Sequence, residues 1–236
     1  MTGLAPVNLA VFASGTGSNL QRLLDLSRLD ELGGGKVVLV VSDKPGCRAL
    51  ERAEAAGVAT FAFYPKAYPD KPAYEREILD RLREHRIDWI VLAGYMRLVG
   101  EVLLQAYGGR IINLHPSLLP NFPGKDAIGQ ALAAGVSRTG VTVHFVDEGM
   151  DTGPAIAQEA VPVDPGDDAD SLAVKIHAVE HRLLPEVVRA LCRGEVWLEN
   201  GLVHWRPQAS GGRGICGAGV LGRQDQERSR GECAGH

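Results

Sequence analysis

Val7-Asn8-Leu9-Ala10-Val11-Phe12-Ala13 runs directly into Ser14-Gly15-Thr16-Gly17-Ser18-Asn19. The first seven residues are almost all apolar and read as a buried strand. The glycine-serine turn ends it and feeds a helical pattern with Leu20, Leu23, Leu24 and Leu26 on its apolar face. The unit then repeats. Second, third, fourth and fifth strands are expected over 37–41, 58–63, 89–93 and 110–114, with helices over 48–56, 72–86 and 102–107 between them. Strands alternating with helices at this spacing predict an open, doubly wound α/β fold with a mostly parallel sheet and right-handed crossovers.

Beyond Gly124 the pattern changes. A helix is expected over 127–134, then strands over 140–146 and 155–163 with no helix between them, which predicts an antiparallel C-terminal extension of the sheet. A long helix over 168–193 contains Pro185, so a kink or break is expected there. A hairpin over 196–205 turning at Asn200-Gly201 ends the fold. One domain is therefore expected over 1–207. From 208 to 236 glycine, arginine, serine and glutamine replace core formers, and a disordered tail is expected.

Composition narrows the class of function. The chain of 236 residues carries a formal charge of −4, and its folded portion lacks a dense lysine/arginine run, which argues against nucleic acid as the main partner. No apolar run approaches the ~20 residues of a membrane span, and the first residues lack a signal-peptide pattern. Cys47, Cys192, Cys216 and Cys233 show no CxxC spacing, so neither zinc nor a disulfide framework is expected, and a cytoplasmic location follows.

Two loops carry candidate chemistry. Residues 14–19 lie where a strand feeds a helix N-terminus, the arrangement in which glycines admit an anion and backbone amides bind it. The loop lacks the later glycine of a dinucleotide fingerprint and the lysine of a P-loop, which leaves a phosphate monoester, or a plain turn with Ser18 as N-cap. The second loop follows Ile111-Ile112-Asn113-Leu114-His115-Pro116-Ser117-Leu118-Leu119-Pro120. Asn113 and His115 are two residues apart on an extended backbone and project to one side, an amide donor beside an acid that can serve one oxygen in acyl transfer. Both loops follow strands of one parallel sheet and open on the same edge. Downstream, Asp147 and Asp151 offer carboxylates, with Gly149 and Gly153 giving the second room for sharp turns. His144 shares a strand face with Thr142 and is read either as lining the site or, with at least equal weight, as a core or supporting residue. His85, His177, His181 and His204 are read as solvated or structural. No Gly-x-Ser-x-Gly elbow is present, which favours direct attack by a substrate nucleophile over a covalent acyl-enzyme.

These segments resemble the folate-dependent phosphoribosylglycinamide formyltransferases. The resemblance runs from about Val7 to Pro207 and rests on Ser-Gly-x-Gly-Ser-Asn-Leu-Gln from Ser14, Leu-Ala-Gly-Tyr-Met-Arg-Leu from Leu92, Ile-Asn-Leu-His-Pro-Ser-Leu-Leu-Pro from Ile112, Val-His-Phe-Val from Val143 and Asp-x-Gly-Pro from Asp151. The resemblance implies formyl transfer from 10-formyltetrahydrofolate, as cosubstrate, to the amine of 5-phosphoribosylglycinamide in purine biosynthesis, without a metal. It implies that His115 is the general acid, that Asn113 donates to the formyl oxygen, and that Asp151 tunes His115 toward its protonated form. Gly17, Ser18, Asn19 and Glu180 would hold the ribonucleotide. Met96, Arg97, Leu98, Val99, Asn113 and Asp147 would border the folate, with Lys71 near its acidic tail. Where some members carry histidines after Pro-Gly, this chain has Lys125-Asp126-Ala127-Ile128, and no role is carried over there. Partners are then small molecules, neither nucleic acid nor membrane, and a weak homodimer is compatible. The rivals are formyltetrahydrofolate deformylase, which uses water and usually carries an N-terminal regulatory domain for which the strand at residue 7 leaves no room, methionyl-tRNA formyltransferase, which needs a sizeable C-terminal domain, and a non-catalytic folate binder.

Overall fold

The computed structural model describes residues 6–206. The domain boundary at 207 and the tail over 208–236 lie outside the described residues, as do Cys216 and Cys233.

Five strands form the parallel part of one sheet: β1 (Val7–Phe12), β2 (Gly35–Ser42), β3 (Ala59–Ala62), β4 (Trp89–Leu92) and β5 (Ile111–His115). Helices α1 (Ser18–Arg28), α2 (Arg48–Ala55), α3 (Lys71–Glu84) and α4 (Glu101–Tyr107) connect them. After β5 come α5 (Ala127–Ala133), β6 (Arg138–Phe145) and β7 (Ala155–Pro162), and these last two strands add antiparallel. The seven-stranded order is β3-β2-β1-β4-β5-β6-β7. A long helix α6 (Ala169–Cys192) and a separate hairpin, β8 (Val196–Glu199) with β9 (Leu202–Trp205), complete the fold. This is the mixed, open α/β sheet that the spacing predicts.

Alternation along the buried strands sorts the core into two layers. Leu9, Val11 and Ala13 of the first strand segment face the layer shared with α1, α2 and α6, whereas Ala10 and Phe12 face the layer of α3 and α4. Each fully buried leucine or phenylalanine in these layers contributes roughly 1.5–3 kcal/mol of transfer free energy. Strand order reverses between β1 and β4. The crevice beyond the carboxyl ends of these strands is where an open α/β sheet receives its ligand.

Two local expectations are corrected. Pro185 does not break α6, which continues from Ala169 to Cys192 with Pro185 buried. Burial of Leu183, Leu184, Val187 and Val188 around it holds the helix across the missing N–H. The N-cap of α1 is Gly17, in left-handed conformation with φ 70°, and not Ser18, which already belongs to the helix. A Cβ at Gly17 would lie 2.9 Å from both Cα and Cβ of Ala49, so glycine is required for space as well as for φ. No helix among the described residues is long and apolar enough to cross a membrane.

Candidate active site

A cavity of about 950 Å³ opens at the crevice between β1 and β4 and extends over the end of β5. It brings together the candidate catalytic, ribonucleotide-binding and folate-binding residues. Gly17, Ser18, Asn19 and Glu180 line one end, and Asn113, His115 and Asp151 line it as well. Met96, Arg97, Leu98 and Val99, with Lys71 and Asp147, complete the set.

The loop over 14–19 is built by the turn at Gly17. No side chain caps α1, so the first amides of the helix have no side-chain acceptor at the pocket end. Asn19 donates from Nδ2 to Oε2 of Glu180 at 2.8 Å, joining α1 to α6. The Oδ1 of Asn19 is buried without a hydrogen-bond partner. An orphaned acceptor beside a buried carboxylate suits a ligand hydroxyl or N–H. His177, read as a solvated helix residue, lies one turn before Glu180, exposed, and also lines the cavity. Lys125, in the segment to which no role was carried over, is exposed and also lines the cavity.

Asp151 is the hub of the polar network in the cavity. Its Oδ2 accepts from the Gly124 N–H at 2.7 Å and lies 3.4 Å from Nδ1 of His115. Its Oδ1 accepts from Nδ2 of Asn113 at 3.2 Å and lies 3.6 Å from Nε2 of His144. Partial burial pushes the Asp151 carboxyl up. His144, the Gly124 amide and the His115 charge together outweigh that and hold it below the ordinary carboxylate range.

The His115 ring is 4 % exposed and is bracketed by acceptors, with Nε2 2.8 Å from the Phe122 carbonyl oxygen and Nδ1 facing Asp151. A neutral imidazole has one N–H and cannot satisfy both.

His144 is a residue that sequence reading underrated. The antiparallel register sets it opposite Asn113, a fact no spacing reveals. Its Nδ1 donates to the Phe145 carbonyl at 2.8 Å, and its Nε2 lies 3.1 Å from Nδ2 of Asn113. When neutral, His144 therefore accepts from Asn113. Both Asn113 amide hydrogens are then committed, one to His144 and one to Asp151.

The loops that carry these partners are braced. Thr142 donates to the Ser117 carbonyl at 2.7 Å and accepts from the Leu119 N–H at 3.1 Å. Phe122 and Asp151, the two groups that bracket His115, both hold left-handed backbone, with φ 54° and 56°. Left-handed backbone is common enough for aspartate but unusual for a bulky residue such as Phe122. The expected role of Gly149 and Gly153 needs correction here, because neither has positive φ. A Cβ on Gly149 would strike Thr152 Oγ1, and one on Gly153 the Phe145 carbonyl oxygen. They serve close packing, and Asp151 itself makes the sharp turn. Asp147 accepts from the Gly149 N–H at 3.1 Å and from Thr152 Oγ1 at 2.7 Å, which folds the loop back on itself.

The opposite wall spans residues 93–100. Ser14 binds it twice, donating its N–H to the Gly94 carbonyl and accepting the Met96 N–H at its Oγ, each at 3.0 Å. The same hydroxyl donates to the buried Asp43. Met96 and Leu98 are more than half exposed on this wall, apolar surface facing a cavity. Arg97 lies over the Tyr74 ring, 5.5 Å from its centre. Among the described residues no group of three or more histidine, cysteine, aspartate or glutamate side chains is placed to hold a metal ion.

Comparison with known proteins agrees with this geometry. The pattern of the family described as formyl transferase matches residues 7–188. A phosphoribosylglycinamide formyltransferase of Bacillus subtilis (strain 168) is 52% identical over 182 residues, covering 77% of this chain and 93% of that one. The crystal structure of glycinamide ribonucleotide transformylase 1 from Geobacillus kaustophilus is 57% identical, with a TM-score of 0.77 over 79% of this chain and 99% of the other. The corresponding structure from Symbiobacterium toebii is 44% identical, with a TM-score of 0.82 over 85% and 94%.

Proposed function

The chain belongs to the formyl transferase family, and from that premise we propose that it moves the formyl group of 10-formyltetrahydrofolate to the amine of 5-phosphoribosylglycinamide, a cytoplasmic step of purine biosynthesis. The observation that carries this reading is the convergence of Asn113, His115 and Asp151 beside the 14–19 anion loop in one cavity. A volume of about 950 Å³ suits two small substrates side by side.

The uncharged acceptor amine attacks the formyl carbon, and the formyl oxygen gains negative charge. Nε2–H of His115 turns from the Phe122 carbonyl to that oxygen. Asn113 exchanges one of its two committed hydrogens, to Asp151 or His144, for the same oxygen. One such donor is worth about 3 kcal/mol in the transition state. Asp151 holds the opposite side of the imidazolium, which keeps the ring oriented. The attacking nitrogen loses a proton, N10 of the folate gains one, and the bond from the formyl carbon to N10 breaks. Formylated acceptor and tetrahydrofolate leave.

At the acceptor end, Gly17, Ser18 and Asn19 supply the phosphate with amides of α1, and Glu180 and Asn19 meet the ribose. Met96, Leu98 and Val99 face the pterin, with Arg97 and Asp147 at its border and Lys71 toward the acidic tail. The test is a formyl-transfer assay with both substrates, run beside a control lacking acceptor. Acceptor-dependent transfer supports the reading. Folate deformylation without acceptor would instead make the protein a hydrolase, and folate binding without turnover a binding protein.

A further inference from the structure

We propose that Glu75, which does not line the cavity, is the positioning residue that fixes the donor wall, and through it the affinity for the formyl-folate. The inference rests on the reading of that wall as the folate side of the pocket.

The wall leaves β4 at Leu92 and enters α4 at Glu101, so its shape depends on how its two ends are held. Ser14 holds the first end, as described. The second end is held by a side chain from a different helix. Oε1 of Glu75, on α3, accepts the Gly100 N–H at 2.6 Å. The amides of Val102 and Leu103, in the first turn of α4, also favour the charged form of this carboxylate, so Glu75 sits at the N-terminal end of α4 from outside its own segment. Glu75 is 2 % exposed.

Three features separate this from ordinary helix capping. The first is the space at Gly100. Its φ is −104°, which any residue can adopt, yet a Cβ there would lie 2.6 Å from both Glu75 Oε2 and Lys71 Cε and 2.7 Å from Glu75 Oε1. The carboxylate and the Lys71 stem together leave room only for glycine. The second is proximity, since Val99 and Leu98 immediately precede the held amide and both line the cavity. Releasing Gly100 shifts the apolar side chains that the pterin meets. The third is chemistry. Burial pushes the Glu75 carboxyl up, against the pull of the Gly100 amide and Lys71, so an uncharged acceptor of the same shape is tolerated.

Lys71 could confuse the test, because its Nζ lies 3.9 Å from Glu75 Oε1 and it lines the cavity. The sign separates the two effects. Removing the carboxylate frees Lys71 for an acidic ligand tail and strengthens donor binding. Loss of the wall anchor weakens it.

The experiment compares wild type with Glu75→Ala, Glu75→Gln and Gly100→Ala. KM for 10-formyltetrahydrofolate and for 5-phosphoribosylglycinamide are each measured at saturation of the other, with the donor Kd measured by calorimetry. Loss of a capping interaction predicts a donor KM and Kd about tenfold higher in Glu75→Ala and Gly100→Ala. The acceptor KM and kcat stay within about twofold, and Glu75→Gln restores the donor affinity. Equal rises in both KM values, a fall in kcat alone, or unchanged donor affinity overturns the proposal. If Glu75→Ala does not fold, Gly100→Ala decides on the same criteria. Absence of formyl transfer in the wild type would overturn the functional reading, while the donor Kd of the variants still judges the role of Glu75.

Discussion

Oδ2 of Asp151 stands 3.4 Å from Nδ1 of His115, on the side of the ring opposite the Phe122 carbonyl that Nε2 meets. The imidazole is thus clamped between a carboxylate and a carbonyl dipole, and on the proposed reading the carbonyl is the partner that a substrate oxygen replaces.

Replacing either member of the pair removes transition-state stabilisation more than ground-state binding. His115→Ala and Asp151→Asn are each expected to lower kcat about 10²–10³-fold, while both KM values change by a small factor. Steady-state kinetics with each substrate varied checks this. Near-wild-type turnover in both variants would remove the pair from the chemistry.

His144 faces Asn113, and the role expected of it is to orient that amide. His144→Phe keeps an aromatic ring but deletes the acceptor at Nε2. The Asn113 amide then loses one of its two orienting partners, and kcat is expected to fall about tenfold. Unchanged kcat in a folded His144→Phe enzyme would show that Asp151 alone orients the amide.

The depressed Asp151 carboxyl links the site to acid stability. Its folded value lies below the unfolded one, so ionised Asp151 stabilises the fold above the ordinary carboxylate range, and this contribution is lost as pH falls through the folded value. Thermal unfolding of wild type and Asp151→Asn between pH 7 and about pH 3 should therefore show the wild-type advantage shrinking on acidification. An advantage that grew toward low pH would mean that the carboxyl is raised by folding.

Gly17→Ala tests the anion loop. The substitution imposes a Cβ 2.9 Å from the Ala49 backbone at a φ of 70°, and about 1–3 kcal/mol of stability should be lost. Because the strain displaces the first amides of α1, the acceptor KM should rise while the donor KM holds. Melting curves and the two KM values read both effects. A donor KM that rises as much as the acceptor KM would place the loop in the folate site.

The architecture was readable because its causes are local. Apolar runs bounded by glycine, such as 7–13 before Gly15, name strands wherever they pair, and the strand-end rule then places 14–19 and the end of β5 on one edge. Asn113 and His115 were readable for the same reason, since a two-residue offset on a strand is a geometric statement. What was hidden depends on pairing between distant segments. His144 matters because β6 runs antiparallel to β5 in a register that sets it opposite Asn113. Glu75 gains its meaning from an amide on the next helix, and Pro185 is tolerated because tertiary burial surrounds it. Gly149 and Gly153 were assigned freedom of turning when their neighbours demand only smallness, a distinction that contact distances make and residue identity does not.

The bond from Asn19 to Glu180 spans 161 residues of chain. On the ribosome, where synthesis runs at about 5–20 residues per second, roughly ten to thirty seconds separate the appearance of the anion loop from that of the carboxylate that completes it. During that interval β1, β2 and β4 can pair, but the acceptor end of the cavity has only one of its walls. On the proposed reading, the residues of the donor side are therefore synthesised before the acceptor end can be completed, and a chain halted before α6 lacks Glu180 from its ribonucleotide site.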